Sequence, residues 1–238
     1  TFRPDKAVEI ANETFIPYIE SIGVKTYEEL VEWIKSRIEF FASMGCRLSD
    51  HAVDRMDDET INALVTLGRE YAKRGWTLLL HTGAKRATSP RLAQLAGPAG
   101  GYAAIGNSVN INALTTLLDD IEGAGVLPKT VLFTLNPADN ALMSILSGSY
   151  SADGVESVVT QGPAWWWCDH AYGMRQMLDH MSVYSVLSTF IGMTTDSRSL
   201  MSFVRHDYFR QILCQWIAEQ VERGYLPDNE IILSDLIE

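Results

Sequence analysis

Short β-rich segments alternate with longer helical patterns from one end of the 238-residue chain to the other. That alternation restricts the fold to repeated βα units, in which parallel strands are linked by helices that cover the sheet. The strand candidates are "TFRP" at the start, "CRLSD" (46–50), "TLLLHTG" (77–83), "TVLFTLN" (130–136), "SVVTQGP" (157–163) and "STFIGMTTD" (188–196). Between them, Leu30, Ile34, Ile38 and Phe41 recur at helical spacing, with Gly45 as a natural stop. The last long helix, from about Asp207, puts Phe209, Ile212, Leu213, Trp216, Ile217 and Val221 on one stripe that packs against a sheet. Periodicity leaves two architectures open, a barrel and an open doubly wound sheet. "GPAGGYAAIGN" (97–107) does not link a strand directly to a helix, so it reads as a flexible loop and not as a dinucleotide turn.

With 47% hydrophobic residues the chain can bury a sizeable core. Its formal net charge of -11 opposes binding to nucleic acid or an anionic membrane, while a few local arginines can still receive a small anion. The longest apolar runs, such as "WTLLL" (76–80), fall far short of the roughly 18 residues of a membrane span. No basic-then-apolar leader opens the chain. Cys46, Cys168 and Cys214 form no Cys-x-x-Cys pair and read as reduced, buried thiols of a cytoplasmic protein.

Polar residues gather where strands end: Asp50 with His51, then His81, Asn136, and Asp196 with Arg198. In parallel α/β folds the carboxyl ends of the strands form the face on which sites are built. Two imidazoles and a carboxylate converging there suit a divalent ion such as zinc or manganese, although no compact His-x-His or His-x-x-x-His pair is present. A lone His81 also serves as a hydrogen-bonded structural group, and Asp196 as a turn carboxylate. Arg198 and Arg3 are candidate carboxylate anchors, because a guanidinium offers two parallel donors. In "AWWWCD" (164–169) three consecutive tryptophans cannot all face one core, so one or two of them line a cavity or divide between interior and helix layer. His170, His180 and His206 lie in helical stretches as surface or helix-terminus residues.

Taken together, "RPDK" (3–6), "SDHA" (49–52), "HTGA" (81–84), "LPKTVLFTLNPADN" (127–140), "WWWCD" (165–169) and "GMTTDSRSLMSFVRHDYFRQILC" (192–214) resemble the uronate (glucuronate) isomerases of the amidohydrolase superfamily. The resemblance implies a (β/α)8 TIM-type barrel. It also implies an aldose–ketose isomerase, formally an intramolecular oxidoreductase, that interconverts D-glucuronate with D-fructuronate and D-galacturonate with D-tagaturonate in carbohydrate catabolism. It makes Asp196 the metal-associated, catalytic aspartate and His81 a second metal ligand. Arg198 and Arg3 become substrate-facing arginines, His51 a candidate for polar contact with substrate or for proton handling, and Trp165 and Trp166 the family's paired tryptophans. Trp167 and Cys168 stand where phenylalanine and asparagine are usual. The implied cofactor is a divalent metal ion, zinc or manganese. The implied partner is a uronate, with no nucleic acid or membrane, in a homo-oligomer.

Two departures stand out. The family's first-strand His-x-His pair is missing, and the connection between "SDHAVDRM" and "DDETINAL" is short. The expectation is therefore a single partial barrel domain over 1–238, an incomplete (β/α)8 barrel lacking its first strands and inactive by itself. The alternatives are a metal-dependent hydrolase of the same superfamily and a non-catalytic fragment.

Overall fold

The computed structural model describes residues 21–53, 56–86, 88–97, 100–151, 157–197 and 199–237. Helix α1 (Tyr27–Ser43) opens on a reciprocal cap in which Thr26 accepts from the Glu29 N–H and Glu29 reaches back to the Thr26 N–H. The chain then leaves through Gly45 at φ 90°, a backbone shape suited to glycine, at the stop expected from the sequence. Strand β1 (Leu48–Ala52), helix α2 (Asp58–Lys73) and strand β2 (Thr77–Thr82) follow. Asp57 caps α2 by accepting from the Thr60 N–H. After β2 come a two-residue strand β3 (Ala84–Lys85), helix α3 (Pro90–Ala96), strand β4 (Ala104–Ile105) and helix α4 (Ile111–Glu122). Strand β5 (Thr130–Thr134), helix α5 (Asn140–Ser149), strand β6 (Val159–Gln161) and helices α6 (Ala171–Tyr184), α7 (Val204–Glu222) and α8 (Glu230–Ile237) complete the order.

The main sheet has the strand order β1-β2-β5-β6. Leu78 N–H bonds to Lys129 O and Leu135 N–H to Thr82 O, so residue numbers on β2 and β5 rise together. That rise is the mark of parallel pairing, and the molecule is α/β with a parallel sheet. All five residues of β5 are buried, as a strand covered on both faces requires.

The described residues divide into two compact units. One comprises residues up to Leu79 with Asn110–Thr130, and the other Leu80–Val109 with the residues from Val131 onward. In the first, α2 and α4 pack closely, with Leu64, Leu114, Leu117, Leu118 and Ile121 fully buried. In the second, α6 and α7 share a core built from Met174, Met177, Leu178, Met181, Phe209, Ile212, Leu213, Trp216 and Ile217. The stripe expected on the last long helix is thus the buried one, and the helix begins three residues earlier, at Val204.

Three expectations differ from the structure. Residues 188–196 form no strand: Leu187–Thr189 make a single 3-10 turn, and the segment to Ser197 has no regular structure. Strand conformation is stabilised by ladder partners, and the sheet order ends at β6. The glycine-rich stretch 97–107 contains β4, whose Ala104 and Ile105 pair antiparallel with Lys85 and Ala84. Cys214 is exposed, because it lies on the solvent side of α7, whereas Cys168 is buried and Cys46 partly so.

Glycine spacing makes the packing testable. A Cβ on Gly173 would lie 2.1 Å from the backbone oxygen of Cys168, whereas one on Gly68 would meet the flexible tip of Ile121 at 2.6 Å. Gly173→Ala is expected to lower stability by about 2–4 kcal/mol and Gly68→Ala by no more than about 1.5 kcal/mol, since a side-chain tip yields and a backbone does not. The urea midpoints of the two variants check that order.

Candidate functional site

Strand alternation positions His81. Along β2 the residues Leu78, Leu80 and Thr82 are buried, which turns Thr77, Leu79 and His81 to the opposite face. The His81 ring stacks on Phe133 of β5, with centroids 4.2 Å apart and planes 10° apart, and meets the edge of Trp165 at 4.7 Å. Phe133 in turn lies against Gly162, where a Cβ would come within 2.6 Å of its ring. Two residues after His81, Gly83 adopts φ +79°, and a Cβ there would sit 2.9 Å from the Asn136 nitrogen. Glycine is therefore required for β2 and β5 to end side by side. Asn136 is spent on the scaffold: its Oδ1 accepts from Ala138 N–H, and its Nδ2 donates to Gly106 O at 3.3 Å and to Ser108 Oγ at 3.4 Å.

The three tryptophans separate as their spacing demands. Trp165 is buried, while Trp166 and Trp167 are 38% and 37% exposed around a 3-10 turn. Trp165 packs on Trp166 at 4.7 Å, Trp166 on Trp167 at 5.2 Å, and the Arg86 guanidinium stands 5.0 Å over the Trp166 ring. A cation in that position is held by the ring quadrupole. Buried in this stack, the Trp165 indole N–H has no hydrogen-bond partner among the described residues. Sequence reasoning missed Arg86, although the basic pair Lys85–Arg86 just past the strand end was the signal available.

Asp196 is exposed and irregular in backbone, with φ 45°. Among the described residues only Asp196 and Trp166 combine a side chain with positive φ, a conformation L-residues pay for. Arg3 and Arg198 lie outside the described residues. Among the described residues no group of three or more His, Cys, Asp or Glu is arranged to hold a metal ion. His81 and Asp196 are of the right donor chemistry for zinc or manganese, yet two donors do not close a coordination sphere.

His51 belongs to the other compact unit. Its Nε2 lies 3.1 Å from Ser49 Oγ and 3.0 Å from Tyr71 Oη, and its ring stacks over Tyr71, which stacks on Trp76. Ser49 and His51 therefore share the face of β1 turned to α2, and Asp50 takes the opposite, exposed face. Burial pushes the His51 imidazole down to about 4, and the Tyr71 phenol up. His170 and His180 serve their own helices. His170 caps α6 by accepting from the Gly173 N–H, and the His180 ring lies 2.6 Å from Gln176 O.

Because His51 resists protonation in the folded state, the unfolded chain binds the proton first. Stability attributable to this residue is complete above about pH 6.5 and is lost as the pH falls toward 4. His51→Gln is expected to flatten that part of the pH–stability curve, and an NMR titration of the imidazole should show a midpoint near 4.

Comparison with known proteins places this geometry in a lineage. A sequence model described as glucuronate isomerase matches residues 1–64 and 57–238. The uronate isomerase of Caldicellulosiruptor saccharolyticus is 38% identical over 272 aligned positions, covering 100% of this chain and 59% of that protein. That of Salmonella arizonae is 34% identical, covering 100% of this chain and 58% of its own length. The chain thus spans under three-fifths of the length of these relatives. Its fold is similar to crystal structures of uronate isomerase from Thermotoga maritima, with TM-score 0.82, 26% identity and 59% of that chain covered, and of glucuronate isomerase from Caulobacter crescentus, with TM-score 0.78, 21% identity and 56% covered. Each structural match takes in 100% of this chain.

Proposed function

Since the chain belongs to the glucuronate isomerase family, we propose that it carries the sugar-binding wall of an isomerase interconverting D-glucuronate with D-fructuronate, and D-galacturonate with D-tagaturonate. The observation that carries this reading is the aromatic stack on His81, which leaves Trp166 and Trp167 half-exposed with Arg86 over Trp166. Indole faces suit the C–H surface of a sugar, and guanidinium suits a carboxylate. Arg3 and Arg198 are the further carboxylate anchors on this reading. A metal-dependent hydrolase of the same superfamily would need no such match to an anionic sugar.

In the proposed reaction the open-chain aldehyde loses its C2 proton to a base, and O1 gains a proton to give an enediol. Reprotonation at C1 and loss of the O2 proton then give the ketose, so the overall formula is unchanged. Asp196 is the proposed proton carrier at C2, acting directly or through water. His51, neutral at physiological pH, is retained as a second proton-handling candidate on its own chemistry. A divalent cation, when bound, supplies polarisation of the carbonyl and adjacent hydroxyl. Asp196 and His81 are the residues here that would hold it, with the remaining ligands supplied from outside the described residues.

The fold reading follows the same course. We take the parallel sheet as part of a (β/α)8 barrel formed by a single domain, incomplete within this chain, in a homo-oligomeric cytoplasmic enzyme. No described helix is long and apolar enough to cross a membrane.

Two measurements test the proposal. The 238-residue chain, given D-glucuronate with zinc or manganese, is expected to form no ketose, while a longer chain that joins it to the part present in the relatives is expected to do so. Ketose formation by the 238-residue chain alone overturns the inactivity, and none by the longer chain overturns the isomerase reading. In the active longer chain, Asp196→Asn should lower kcat by about 10²–10⁴-fold. Trp166→Ala, which removes the exposed indole face beneath Arg86, should weaken sugar binding by about tenfold.

A further inference from the structure

The tryptophan turn and the segment bearing Asp196 are separated in sequence, yet one helix is tied to both. Asp169 closes the turn Trp166–Cys168, and its carboxylate, 4% exposed, is ion-paired with Arg205 in the first turn of α7. The other carboxylate oxygen, Oδ1, is buried with no hydrogen-bond partner among the described residues. Arg205 is thus what offsets the cost of enclosing that charge. One helical turn along, the Ala171 N–H donates to Tyr208 Oη at 3.1 Å, a second tie between the same two elements. Further down, the Trp216 indole N–H donates to Asp179 at 2.7 Å, and Arg175 pairs with Glu219 at 2.7 Å.

At its N-terminal end α7 continues directly from the segment of Asp196. Between them Leu200, Met201 and Phe203 are 82%, 77% and 67% exposed, and the described residues there are tied by polar contacts, with Ser197 Oγ accepting from the Ser199 N–H at 3.2 Å and from the Ser202 hydroxyl. The α7 helix thus holds the approach to Asp196 through Met193 and Phe190, which pack on Phe209, and holds the tryptophan turn through the Arg205–Asp169 pair.

We infer that Arg205 and Asp169 act as a positioning pair, holding the Trp165–Trp166 turn and the Asp196 segment in mutual register for the sugar acid. The inference rests on the isomerase reading and adds two residues that touch no substrate. A guanidinium is suited to the role because it keeps its charge and offers a planar set of donors on a stem long enough to reach a buried acid.

The test uses the active full-length isomerase carrying Arg205→Gln, Arg205→Lys, Asp169→Asn and the double variant Arg205→Gln/Asp169→Asn. Each single neutral variant is expected to reduce kcat/KM for D-glucuronate by about 10–100-fold, through misplacement of groups that themselves remain. Arg205→Lys should restore part of that loss. The double variant should be no worse than the more damaging single one, because the two residues act as a unit. Tryptophan fluorescence should shift toward longer wavelength in the neutral variants and return toward the parent in Arg205→Lys. Unchanged kinetic constants, or losses that multiply in the double variant, would overturn the pairing. A stability loss with kcat and KM intact would reduce it to scaffold, which also overturns the inference. If the parent enzyme isomerises no uronate, the functional reading fails, and the fluorescence series still decides whether the pair fixes the turn.

Discussion

The seating of Phe133 between Gly162 and His81 governs the described part of the site. Gly162 leaves a space that even a methyl group would fill, and the Phe133 ring occupies it. Its other contact is the flat face of His81, held nearly parallel at 4.2 Å. His81 then has one defined orientation from which to meet Trp165, and Trp165 passes that orientation to Trp166. The backbone beneath obeys the same economy, since Gly83 alone permits β2 and β5 to end in close contact. Polar satisfaction completes it. Thr82 donates to Phe133 O, and a buried chain from Ser144 to Gln161 to Asn140 fixes α5 to β6.

Much of this frame was legible in the sequence because it depends on burial, and burial writes a periodic signal. The runs "TLLLH" and "TVLFT" had to be strands between helices, and the stripe on α7 had to be a core face. The run "STFIGMTTD" carried the same apolar signal and forms no strand. Periodicity records that a segment needs cover, while a strand also needs a neighbour to complete its ladder. Here the sheet order stops at β6, and Gly192 at φ 76° and Asp196 at φ 45° carry the chain through an irregular path.

Side-chain direction was less legible than element type. His51 and Asp50 are adjacent in "SDHA", and the reading of sequence favoured the imidazole. The alternation of β1 places His51 with Ser49 toward Tyr71, where burial keeps it neutral, and leaves Asp50 on the other face. A one-residue choice of register decides which of the two meets a helix, and no composition rule makes that choice. Arg86 escaped notice for a related reason. A basic residue after a strand is ordinarily solvated, and only the fold shows an indole ring beneath it.

Backbone strain offers an independent line of argument for where the chemistry sits. Motif and position in the sequence point to Trp166 and Asp196. They are also the two non-glycine residues with positive φ among those described. Holding a bulky or acidic L-residue there costs on the order of 1–3 kcal/mol, and glycine would remove the cost at once. Among the described residues nine glycines already occupy positive φ, so the substitution is one the fold uses freely elsewhere. Retaining an indole and a carboxylate at the two strained positions makes sense where the side chains themselves are needed. The elements that bear them also meet on one helix, α7, the tryptophan turn through the Arg205–Asp169 pair and the segment before Asp196 through Met193.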